Sequence, residues 1–84
     1  MEEYLQRIDA LSQQALRFQS YEARADLERM IGAARTVAQD LSRELVECQR
    51  LHRITPRAET HAARLEDLLA NAEKMMVYAR LRYR

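Results

Sequence analysis

Proline and glycine occur once each in these 84 residues, as Pro56 and Gly32. With so few interruptions the chain holds only a few long elements, and Pro56 is the one firm division between them. Cysteine also occurs once, so an internal disulfide is excluded and a reduced thiol is expected. Strand-favouring residues are scarce, with three Ile, three Val, three Thr, one Phe and no Trp. No apolar run is long enough to span a membrane. Neither sign of charge dominates: the net charge is +1, with −1 over residues 1–20, 0 over 21–54 and +2 over 55–84. Interleaved signs describe a solvated helix surface rather than a polyanion-binding face. The opening Met1-Glu2-Glu3 has the wrong charge for a secretory leader, so a cytoplasmic location is expected.

What the chain does contain is helix. Ala and Leu supply 24 of its 40 apolar residues, and Arg, Glu and Gln lead the polar ones. Upstream of Pro56 a stripe runs Leu27, Met30, Ala34, Val37, Leu41, Leu45, Cys48. Downstream it runs Ala62, Leu65, Leu69, Ala72, Met76, Ala79, Tyr83. Every step is three or four residues, which keeps the side chains on one face of a 3.6-residue helix. The spacing predicts an all-α, antiparallel helical hairpin in a single domain. Its long helix covers 21–52, its turn 53–55 and its C-terminal helix 56–82, and these stripes form the seam. Thr55 is the expected N-cap of the last helix and Pro56 its first residue, where a missing N–H is not needed.

Residues 1–20 carry a weaker helical pattern: Leu5, Ile8, Leu11, Ala15, Phe18. The phase breaks at Glu22, and Ser20 is placed to cap a new helix. No glycine or proline enforces the break, so a separate helix, a kink and a continuous helix all fit. Gly32 lies inside the long helix. It is either simply tolerated or kept for the close approach of another helix beside Ala33 and Ala34.

No chemistry-bearing constellation stands out. Cys48 and His52 share a helix face, with His61 just past the turn, but structural zinc takes four ligands and Cys48 continues the apolar stripe. No metal or cofactor is expected. There is no phosphate loop and no nucleophile–base motif, and Glu66-Asp67 point to different faces, so no enzyme is expected. Arg80, Arg82 and Arg84 with Tyr78 and Tyr83 could meet nucleic acid. Complementing the helix dipole explains the arginines more simply.

The strongest functional signal is a surplus of apolar surface. A two-helix seam needs one stripe per helix, yet a second row flanks each: Ile31, Ala38 and Val46 upstream, and Ala58, Leu68, Met75 and Tyr78 downstream. A face wider than one seam implies another packing neighbour. Partner binding is therefore assigned to Ile31, Ala38, Val46, Leu68, Met75 and Tyr78, unless the N-terminal segment folds back over the row. A lone core in a chain this small supplies only about 3–5 kcal/mol. Self-association of the isolated chain is expected for the same reason.

From Thr55 to Arg84 the chain resembles the small co-chaperones of type III secretion needle subunits, the YscE/SsaE/EscE-type proteins. Matching features are Pro56 at the start of the last helix, Leu65-Glu66-Asp67-Leu68-Leu69, Ala72-Glu73-Lys74-Met75-Met76, and the aromatic-basic end Arg80-Leu81-Arg82-Tyr83-Arg84. Residues 1–20 are the least covered. The resemblance implies a cytoplasmic helical hairpin in virulence-associated protein export. Such a hairpin pairs with a tetratricopeptide-like chaperone, and the pair keeps the needle subunit soluble and unpolymerised. The alternatives are a homodimeric helical-bundle nucleic-acid regulator and, third, the needle subunit itself. The needle's interhelical turn usually carries two prolines, where this chain has one.

Overall fold

Two side-chain hydroxyls set where the long helices begin. In the computed structural model, which describes residues 1–82, Ser20 accepts a hydrogen bond from the Ala23 N–H at 3.4 Å and opens α2 (Tyr21–Leu51). Thr55 accepts from the Ala58 N–H at 3.2 Å and opens α3 (Pro56–Arg82). Each hydroxyl satisfies one N–H that the first turn cannot bond internally. A shorter α1 (Glu2–Ala15) precedes them. It is a separate helix, which resolves the open reading of the N-terminal segment. Its last turn tightens, with Arg17 N–H bonded to Gln14 C=O at 3.1 Å and Phe18 N–H to Ala15 C=O at 3.2 Å. These three-residue bonds use up the final carbonyls and release the chain into the connection at 16–20. The fold is all-α, and no strand occurs among the described residues.

The end of α2 is closed without glycine. His52 takes the left-handed backbone conformation, φ 56° and ψ 35°. Its N–H bonds to Gln49 C=O at 3.3 Å, and the Arg53 N–H reaches back to Cys48 C=O at 3.2 Å. That pair of bonds is the Schellman arrangement, in which glycine is the usual left-handed residue. Cys48 also faces the turn: its Sγ accepts from the buried Thr55 N–H at 3.4 Å and lies 3.6 Å from Thr55 Oγ1. One buried thiol therefore joins the end of α2 to the cap of α3.

The long helices run antiparallel, with Arg57 of α3 beside Glu44 of α2 at 3.5 Å. α1 folds back along them. It is antiparallel to α2, since Met1 and Leu5 line a groove with Ala38 and Ser42 while Leu16 lies beside Glu28 and Ile31. It is parallel to α3, since Arg7 reaches Glu66 and Glu73 and Gln14 reaches Arg80. At 1.5 Å per residue α1 is about 21 Å long against about 46 Å for α2, so it covers only the half of the hairpin away from the turn.

The core is the predicted seam plus α1. Leu27, Ala34, Val37 and Leu41 are buried against Leu65, Leu69, Ala72 and Met76, and Ala79 is buried beyond them. Met30 and Leu45 are partly buried and pack on this core. Ile8, Leu11 and Ala15 of α1 complete it. Leu27, Leu65 and Leu69 are fully enclosed, and each such side chain contributes about 1.5–3 kcal/mol of transfer free energy. Tyr83 and Arg84, the end of the sequence stripe and of the basic cluster, lie outside the described residues.

Candidate partner-binding surface

Of the six residues assigned to a partner from the sequence, α1 takes two. Ile31 and Ala38 are 3% and 4% exposed, enclosed where Ile8, Leu11 and Ala15 fold back over α2. As placed, neither can meet another molecule while α1 is docked. The surplus was real, but on α2 its neighbour is the chain's own N-terminal helix. Leu68 and Met75 are half-buried against the core rather than standing on an outer row. Ala58, from the same surplus row, is buried beneath the turn. Val46 is exposed but stands on the turn half of α2, away from the others.

Tyr78 is the remaining one, and it has company. Val77, Tyr78 and Leu81 are 58%, 63% and 65% exposed on the outward face of α3. Together with Glu73 and Lys74 they line a shallow groove whose floor is almost wholly apolar. Helix geometry explains the grouping. Met76 and Ala79 point into the core, so residues one and two places further on, with Leu81 a turn later, are turned outward. Val77 and Leu81 were legible in the sequence as an i, i+4 pair out of phase with the seam. They were missed because the seam absorbs the eye's periodicity on this helix.

Charge around the strip is uneven. Glu73 is held by Arg7, whose guanidinium also donates to Glu66 Oε2 at 2.7 Å. Those hydrogen bonds, to Glu73 first and then Glu66, raise the Arg7 pKa above its ordinary range and keep it charged. Glu73's charge is thus largely compensated from the α1 side. Lys74 is exposed and has no ion-pair partner among the described residues. Arg80 is exposed and donates at 2.9 Å to the neutral amide oxygen of Gln14, which leaves its charge uncompensated. The strip is an apolar floor with cationic borders.

The other constellations are dispersed. Cys48 is turned in to Thr55, His52 is exposed at the end of α2, and the His61 ring bonds Arg57 C=O at 2.7 Å on its own helix. Among the described residues no three His, Cys, Asp or Glu side chains come together to hold a metal. Of the C-terminal arginines, Arg80 is the one whose side chain is described. An added Cβ at Gly32 would meet nothing within 4 Å, so no helix of this chain approaches closely there. Among the described residues, no helix is long and apolar enough to cross a membrane.

Compared with models of protein families, with curated proteins and with solved structures, the chain matches none.

Proposed function

We propose that this chain is a helical protein-binding module, and specifically a co-chaperone of type III secretion needle assembly. On this reading it engages a tetratricopeptide-like chaperone, and the pair holds a needle subunit soluble and unpolymerised in the cytoplasm before export. The observation that carries the reading is the exposed Val77, Tyr78 and Leu81 strip on α3. Three large apolar side chains together on one surface mark a contact site more often than scattered single ones do. The strip also falls within the segment, Thr55 to Arg84, that resembles those co-chaperones. The mechanism is burial: the partner covers the strip, and the free energy of removing it from water stabilises the complex.

Co-expression with a tetratricopeptide-like chaperone encoded beside the needle subunit tests it. The expected result is a heterodimer that co-purifies, and a needle subunit that is lost from the cytoplasm when this chain is deleted. Failure to co-purify, with the needle subunit undiminished in the deletion strain, refutes the proposal.

A further inference from the structure

We infer that the α3 strip receives an amphipathic helix whose apolar stripe is bordered by Asp and Glu. The inference rests on the reading of the chain as a binding module and adds the chemistry of the partner. An apolar floor made by Val77, Tyr78 and Leu81 fits the ridge of a helix, the groove mode of peptide recognition. Its borders decide which helix. Lys74 on one side and Arg80 on the other project uncompensated positive charge, while the nearest carboxylate, Glu73, is occupied by Arg7. An acidic border on the partner gains at both edges, and a basic one is repelled at both.

The same charges argue against other occupants. Two copies pairing strip to strip would set like charges against each other. Three side chains also fall far short of the roughly 800 Å² per partner in a standard interface, so self-pairing here is weak. Binding to an anionic lipid surface needs a long cationic amphipathic face. Further along α3 the exposed positions include Glu66, Asp67 and Glu59, which oppose anionic lipid and nucleic acid alike.

The test uses the full chain and two synthetic stapled helices, both with a leucine ridge, one bordered by glutamates and one by lysines. Fluorescence anisotropy is expected to show the glutamate-bordered helix binding about tenfold or more tightly than the lysine-bordered one, with the gap narrowing as salt rises. The exposed pair Lys74→Glu and Arg80→Glu should invert the preference. Tyr78→Ser with Leu81→Ser should abolish binding of both helices at unchanged helicity by circular dichroism. Equal binding of the two helices overturns the inference, as does binding that survives the serine variant. So does a chain that ignores both peptides yet sediments with phosphatidylserine vesicles or shifts duplex DNA.

The co-chaperone reading fails separately. If a tetratricopeptide-like chaperone holds the charge-reversed variant as tightly as the parent, the inference is overturned and that reading stands. If the peptides are discriminated but no such chaperone pairs, the inference stands and that reading falls.

Discussion

Replacing Gly32 by Ala should stabilise the chain. Gly32 lies in the middle of α2, exposed, with φ in the ordinary helical range. A Cβ there has open space around it, with no atom within 4 Å beyond the helix's own nearby backbone. No packing term therefore opposes the change. What remains is the backbone: alanine loses less conformational freedom on entering a helix, a gain of about 1 kcal/mol. For a domain of this size, that raises Tm by about 4–8 °C. Thermal and urea unfolding followed at 222 nm should show a higher Tm and midpoint with an unchanged urea slope, since the surface exposed on unfolding hardly changes. Both proteins must be compared at one concentration, because any association couples Tm to it. A Tm equal to or below that of the parent refutes the reasoning and means that something occupies the space beside Gly32. The substitution also separates the two sequence readings of this glycine. If a partner's helix comes close at Gly32, the variant is more stable alone but binds that partner less well.

Other perturbations probe the seam and the ties. Leu69→Ala, at a fully enclosed site, should cost about 2–5 kcal/mol in urea unfolding, and Leu68→Ala clearly less, because Leu68 is only half-buried; equal losses would mean the faces are misassigned. Thr55→Ala should cost about 1 kcal/mol through the lost cap, and Cys48→Ala about 1–3 kcal/mol because the buried Thr55 N–H loses its acceptor; Cys48→Ser, which keeps an acceptor, should recover part of the second loss. Arg7→Gln should cost about 1 kcal/mol or less, shrinking with salt, because both partner carboxylates are well exposed. The Arg7 pKa is raised on folding, so its contribution is fully present below the ordinary guanidinium range and is lost only as pH rises through the raised value. The difference between parent and Arg7→Gln should accordingly stay constant from neutral pH up to about pH 10; a gap that closes within that range would refute the assignment.

The parts legible in the sequence are those decided locally. A hydroxyl before an apolar run, a proline at a first turn and a step of three or four residues each act within one or two helical turns. Ser20, Thr55, Pro56 and the α2–α3 seam are of this kind. The parts that were not legible depend on how elements meet. Ile31 and Ala38 announce a neighbour, but a row of apolar side chains is the same whether the neighbour is another molecule or the chain's own α1. The phase break at Glu22 is likewise compatible with a kink or with a reversal of direction. Cys48 reads as one more apolar step, and its bond to the Thr55 N–H exists only once the turn has closed. On α3 the seam was correctly aligned, yet the outward Val77 and Leu81 were passed over, because what makes them a surface is the absence of α1 from that side.

The shortness of the 16–20 connection limits where α1 can go. Five residues fully extended span about 18 Å, less than half the length of α2. If α1 detached, it would stay tethered to the end of the molecule farthest from Pro56. The chain is therefore a rod with two unlike halves, one three helices thick and self-covered, the other two helices thick with both flanks permanently bare. A ligand approaching near Val46 meets the same two-helix surface whether α1 is docked or released, whereas one approaching near Ile31 competes with α1 at high local concentration.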